Sequence, residues 1–234
     1  MSTTPRLRAV GRVLREVIAL EIAIYRCLAR WILRRPDVPA DAEPVRYDRL
    51  SGPMLWLWIF GSATEVVVFE VVLRSIDAAW AETIRLPLLV IGIWGVLWML
   101  GMLASYRIRP HLLFADRLRI RSGPRTWVEV PLAAVVTARP VEGELPGLVR
   151  TLHTERAVEG LAEGGGQGDL LLVGVGSRTN LELTLTAPTA LAGSAPGLAA
   201  SRVGLWVDDP REVAHAITHR GAGMKTDRGP FRRS

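Results

Sequence analysis

The sequence predicts a membrane-embedded helical hairpin joined to a cytoplasmic α+β, mainly-β domain. That domain reads as an antiparallel sheet or open barrel capped by a C-terminal helix, and a basic amphipathic helix precedes the hairpin. Three observations predict this class. Apolar residues make up 49% of the 234 residues although 22% are charged, and the longest apolar runs fall between residues 54 and 106. Beyond Pro110 the hydrophobic period changes from helical to alternating. The net charge of +6 comes from arginines that cluster around the apolar runs.

The same composition excludes several classes. So apolar a chain is not intrinsically disordered. Cys27 is the only cysteine, which rules out an intramolecular disulfide scaffold or a Cys-rich zinc site. Lys225 is the only lysine among 29 basic residues, a bias that fits a GC-rich bacterial genome.

No secretory signal opens the chain. Residues 8–35 have helical periodicity, and residues 1–35 are taken as the N-terminal segment. Arg8, Arg12, Arg15, Arg26 and Arg30 fall within an arc of roughly 60°. Val10, Val13, Val17, Leu20, Ile24, Leu28 and Trp31 lie opposite, with Glu21 in the apolar sector. Such a helix suits the cytoplasmic membrane interface, its guanidinium groups on anionic headgroups. The alternative is a helix docked on the cytoplasmic domain with solvated arginines. Glu21, Arg26 and Arg30 argue against a third span, and Cys27 reads as a packing residue. Pro36 and Pro39 end the helix, and residues 36–53 read as a linker.

The hairpin is expected over 54–75 and 84–106. Leu86 to Ser105 carries no charge and at about 1.5 Å per residue spans roughly 30 Å, the hydrocarbon thickness. The first span carries Glu65 and Glu70, each costing about 2.5–3.5 kcal/mol at mid-bilayer. Trp56, Trp58 and Trp80 fall near the membrane edges. A loop centred near Trp80 sets Glu65 level with Trp94, Gly95 and Trp98. It also places Gly61 near Gly101, and Gly92 and Gly95 would admit close helix packing. Glu65 is then expected to be protonated, or hydrogen-bonded by an indole, within the helix pair or an oligomer. Arg46 and Arg49 before the hairpin, and Arg107, Arg109, Arg117, Arg119 and Arg121 after it, place both termini in the cytoplasm.

Strands are expected at 111–114, 118–122, 126–130 and 135–141. Residues 142–168 form an insertion ending in a flexible Gly-rich run. Residues 169–175 and 180–186 read as a hairpin, 187–200 as a loop and 202–207 as the last strand. Asp209, Pro210 and Glu212 mark the N-cap, first turn and capping box of the closing helix. The tail 221–234 is expected to be disordered.

This order over 110–220 resembles the bacterial pleckstrin-homology-like domains attached to paired membrane helices. The likeness rests on Asp116-Arg117-Leu118-Arg119-Ile120-Arg121-Ser122-Gly123, on Val128-Glu129-Val130-Pro131-Leu132, and on Val207-Asp208-Asp209-Pro210-Arg211-Glu212-Val213. It implies a membrane-associated, non-enzymatic domain without implying phosphoinositide binding. Arg117, Arg119 and Arg121 alternate along one strand and share a face; with Arg125 they are candidates for lipid phosphates, or else an ordinary solvated face.

Catalytic patterns are incomplete. His215 and His219 have zinc-ligand spacing, but Ala216 stands where a zincin has Glu. Gly174 and Gly176 lie between strands, and no P-loop or nucleophile elbow occurs. His111 and His153 have no identifiable partner. The expectation is a multi-pass protein of the bacterial inner membrane with a binding or scaffold role. Its partners would be anionic lipid, a membrane protein or a second copy, with no nucleic acid, metal or cofactor. The alternative is a membrane-complex subunit that uses Glu65 and Glu70 for assembly or for ion or proton handling.

Overall fold

The computed structural model describes residues 4–144, 152–155, 170–195 and 197–227. It divides into two compact units, Met1–Pro36 with Gly52–Ile108, and Asp37–Ser51 with Arg109–Ser234.

The first unit is helical, with α1 (Thr4–Ile32), α2 (Ser51–Ser75) and α3 (Ala79–Ile108). Both α2 and α3 are long and apolar enough to cross a membrane, and only 6% and 11% of their most apolar stretches are buried. The turn between them is three residues, 76–78, shorter than the sequence suggests. Helix α3 starts at Ala79 because helix formation needs no apolarity. Ala81 and Glu82 donate backbone hydrogen bonds to the Ala78 carbonyl, the Thr83 hydroxyl bonds Ala79, and Glu82 faces the positive end of the helix dipole. Trp80 therefore sits in the first turn of α3.

Helix α1 stops before the prolines. Arg35 N–H bonds the Arg30 carbonyl at 2.9 Å and Arg34 N–H bonds Trp31 at 3.0 Å, with Arg34 left-handed at φ 53°. This is the paired closure of a Schellman end, with arginine where glycine is usual. The C-terminal half of α1 packs on the end of α3. Ile24 sits over Gly101, and Cys27, Leu28 and Trp31 pack with Ala104 and Ile108. Because residue numbers rise together along both helices, α1 and α3 run in the same direction through this contact.

The second unit has two five-stranded sheets sharing one core. One contains β1 (Glu43–Val45), β2 (His111–Leu113), β3 (Arg117–Ser122), β4 (Thr126–Pro131) and, after the next four strands in the chain, β9 (Ala192–Gly193). These pair in that order, all antiparallel. The other sheet contains β5 (Val135–Glu144), β6 (Leu152–Glu155), β7 (Leu170–Val173), β8 (Arg178–Ala190) and β10 (Ala199–Leu205). Its order is β5-β8-β10-β7-β6. Leu118 and Ile120 from one sheet, Leu181 and Leu183 from the other, and Ile217 of α4 (Pro210–Asp227) join a single apolar cluster.

Four expectations are corrected here. Residues 36–53 are not merely a linker, since β1 extends the first sheet and 37–51 belong to the β unit. Strands β7 and β8 do not form a hairpin. Strand β10 lies between them, parallel to β7 and antiparallel to β8, because its apolar Val203 and Leu205 satisfy both neighbours at once. The stretch 187–200 is not all loop, since β8 runs to Ala190 and β9 crosses to β4. Helix α4 continues to Asp227, past the expected tail start, while 228–234 lie outside the described residues. Of the insertion, 142–144 extend β5 and 152–155 form β6 against β7, whereas 145–151 and 156–169 lie outside the described residues. The closing helix begins where the capping pattern places it, with Glu212 N–H donating to Asp209 Oδ1 at 3.1 Å.

Candidate functional site

Between α2 and α3 a groove of about 270 Å³ is lined by Ser62, Glu65, Val66, Phe69, Glu70, Arg85, Gly92 and Gly95. Glu65 is exposed on α2 and makes no hydrogen bond or ion pair among the described residues, an indole included. Glu70 is different. Its Oε1 accepts from Arg85 Nη1 at 2.9 Å, and Arg74 lies 3.7 Å from the same oxygen. Arg85 also reaches Glu82 at 3.4 Å. With the turn at 76–78, Glu70 and Arg85 stand nearly equidistant from it. The turn is centred on residue 77, three residues before Trp80, and that shift brings the oppositely charged Glu70 and Arg85 level with each other.

The glycines separate. A Cβ on Gly92 would lie 2.5 Å from Val66 Cγ2, so this glycine does admit close approach of α2. Gly95 and Gly61 face open space. Gly101 does not meet Gly61; it receives Ile24 of α1, a contact invisible to a two-helix pairing scheme. Arg107 carries its guanidinium carbon 5.8 Å from the Trp31 ring centroid and 5.9 Å from that of Trp56, joining all three helices.

On α1, Arg12, Arg15, Arg26 and Arg30 are exposed, as their shared arc predicts. Arg8 lies within the helix, but its side chain is outside the described residues.

The arginines of β3 part company. Arg117 and Arg119 share an outer face, but carboxylates occupy them. Arg119 Nε donates to Glu129 Oε1 at 2.7 Å, Glu129 being its cross-strand partner, and Arg117 Nη1 lies 3.0 Å from Asp116. Both guanidinium groups also lie over Phe114, at 4.4 and 5.7 Å. Arg125 is exposed at the β3–β4 turn. Arg121, expected on the same accessible face, is covered instead. It is buried, its Nη1 donating to the Asp37 carbonyl at 2.8 Å and lying 3.5 Å from the Asp37 carboxylate. Alternation fails at the end of β3 because the 37–45 segment covers it. Arg109 Nε approaches the same carboxylate at 3.5 Å. Burial lowers the Arg121 pKa and Asp37 opposes that.

His111 also has partners that its sequence context concealed. Its Nδ1 accepts the Arg121 N–H at 2.9 Å, its Nε2 donates to the Trp206 carbonyl at 2.9 Å, and Tyr47 stacks on it with centroids 4.3 Å apart. Burial lowers its pKa to about 4, against the pull of the Trp206 carbonyl. Asn180, unremarked in the sequence, bonds both the N–H (2.9 Å) and the C=O (2.7 Å) of Val207. These groups tie strands of the β unit to one another.

His215 and His219 are exposed on α4, and no group of three or more potential metal ligands occurs among the described residues. Side chains of β6, His153 included, lie outside the described residues. No protein-family model, curated protein or solved structure matches this chain.

Proposed function

We propose that this chain is a multi-pass protein of the bacterial inner membrane, with both termini cytoplasmic, whose pleckstrin-homology-like unit binds or scaffolds rather than catalyses. The observation that carries the reading is the exposure of α2 and α3. Two helices of 25 and 30 residues, almost wholly apolar and almost wholly uncovered, need a bilayer to cover them. The antiparallel strand pairing and the closing helix α4 support the pleckstrin-homology-like likeness; the parallel β7–β10 pair departs from a purely antiparallel plan. The candidate polar groups of the β unit are engaged in holding it together, which suits a binding module more than a reaction centre. Alkaline carbonate extraction of membranes, with protease protection of tags at each terminus, tests it. Retention in the pellet with both tags protected in right-side-out vesicles is the expected result.

A second reading, a subunit of a membrane complex, draws on Glu65. An unpartnered carboxyl midway along an apolar helix is costly in lipid and is relieved by a neighbouring donor. Glu65→Gln retaining, and Glu65→Leu losing, a crosslinked membrane complex would support it.

A further inference from the structure

We propose that a second copy of this chain packs along α2, the two α2 helices parallel, with the Glu65 carboxyl of each accepting a hydrogen bond from the Ser62 hydroxyl of the other. This rests on the membrane reading of α2 and α3, and it gives the complex-subunit reading its partner. Val66 of α2 meets α3 at Gly92, and Ile59 and Leu73, one heptad to either side, are buried. About a quarter turn round the helix run Trp58, Ser62, Glu65, Phe69 and Val72. Their spacing alternates four and three residues, the period of a seam between two helices crossing at about 20°. Trp58, Phe69 and Val72 are between 47% and 59% exposed, so α3 leaves this seam uncovered. Helix α1 docks elsewhere. Its Ile24 sits at Gly101, nine residues beyond Gly92 and so half a turn away around α3 at about 100° per residue.

Two polar groups identify the occupant. Ser62 and Glu65 lie within the seam and line the groove between α2 and α3, and neither side chain makes a hydrogen bond or ion pair among the described residues. A carboxyl group amid hydrocarbon needs a donor. An acyl chain would fill the apolar groove but offers none. A second copy offers one at the right depth. Copies inserted the same way, and related by a two-fold axis along the membrane normal, bring each seam residue level with its own counterpart. Helical side chains slant toward the N-terminus, so Glu65 reaches toward the layer of Ser62, one turn away. There the Ser62 hydroxyl of the second copy is the donor, and the two-fold makes the bond twice. Acceptor and donor sit one turn apart on a single seam, so this face is complementary to itself. Gly95 of α3 lines the same groove and faces open space, which leaves room for the bulky neighbours of the polar pair.

Disulfide crosslinking tests this in the full chain in liposomes at high lipid-to-protein ratio, in a Cys27→Ala background. Single cysteines go on the seam, as Trp58→Cys, Phe69→Cys or Val72→Cys. Controls are Phe60→Cys, Val67→Cys and Val71→Cys, equally exposed but on the other side of α2. Mild oxidation should give several-fold more covalent dimer from the seam than from the controls. Equal yields, or more dimer from the controls, overturn the proposal. In the Phe69→Cys chain, adding Glu65→Gln should keep the dimer, while Glu65→Leu or Ser62→Ala should lower it several-fold. An undiminished yield with either of the last two overturns the Ser62–Glu65 pairing. Carbonate extraction of the same liposomes reports separately. Release of the protein fails the membrane reading itself, whereas retention without seam preference overturns only the second copy. Should Cys27→Ala disturb the helices, a benzophenone side chain at position 69 in the otherwise native chain asks the same question. A product of twice the chain mass supports the proposal. Crosslinks to lipid alone overturn it, and so do crosslinks in native membranes to a different protein, which leave the complex-subunit reading standing.

Discussion

His111 accepts the backbone N–H of Arg121 through Nδ1 and donates to the Trp206 carbonyl through Nε2, each at 2.9 Å. This pins the neutral tautomer with its proton on Nε2. A second proton on Nδ1 would face the Arg121 N–H donor to donor, inside a site that is already dry. The unfolded ring titrates near pH 6.5 and the folded ring near 4. Between those values the unfolded state binds more protons, so the stability from this site is complete above about pH 6.5 and falls as pH drops toward 4. The fall is up to about 3 kcal/mol. Thermal unfolding in detergent at pH 7.5, 6 and 5 reads it. The His111→Phe variant should begin about 2 kcal/mol less stable, with two buried groups unpaired, and decline less with acid.

Gly101 and Gly95 should respond oppositely to a methyl group. A Cβ at Gly101 overlaps Ile24 of α1, side chain and backbone, so Gly101→Ala should weaken the α1–α3 contact by about 1–3 kcal/mol. Gly95 faces open space, and Gly95→Ala should be neutral or stabilising by up to about 1 kcal/mol through helix propensity. Cys27 is the reporter, since it is buried in that contact. Its maleimide reactivity should rise in Gly101→Ala and stay unchanged in Gly95→Ala.

Glu70 and Arg85 are each about a quarter exposed and joined at 2.9 Å near the α2–α3 turn. Removing either partner leaves the other with only a longer contact, Arg85 to Glu82 at 3.4 Å and Glu70 to Arg74 at 3.7 Å. A double-mutant cycle of Glu70→Ala and Arg85→Ala, read by thermal unfolding in micelles, should return a coupling of about 1–3 kcal/mol. The double variant should be more stable than Glu70→Ala alone.

Asp37 faces both Arg109 and Arg121, and it lies at the start of the segment that β1 stitches to β2. Asp37→Ala should cost about 1–3 kcal/mol, because the buried Arg121 loses its counter-charge. Hydrogen exchange should quicken in 43–45 and at the end of β3, and remain unchanged in β7 and β10. Arg119→Ala, which breaks a partly exposed pair with Glu129 and the contacts of the guanidinium with the Phe114 and Trp127 rings, should cost no more than about 1 kcal/mol.

What the sequence determined by itself was everything governed by local periodicity and composition. The two long apolar helices, the capped start of α4 at Pro210, the alternation of Leu118 and Ile120 with Arg117 and Arg119, and the arginine arc of α1 all follow from residue spacing. Tertiary structure decided the rest. Spacing cannot show that β10 enters between β7 and β8, since an apolar strand pairs equally well at either edge. Nor can it show that residues 37–45 cover the end of β3, turning Arg121 from a surface cation into a buried one while Arg117 and Arg119 stay partly exposed. Gly101 serves Ile24 rather than Gly61 because the helix nearest in space is not the helix nearest in the chain. Local spacing fixes which face of an element is apolar; only the arrangement of the other elements determines what that face meets.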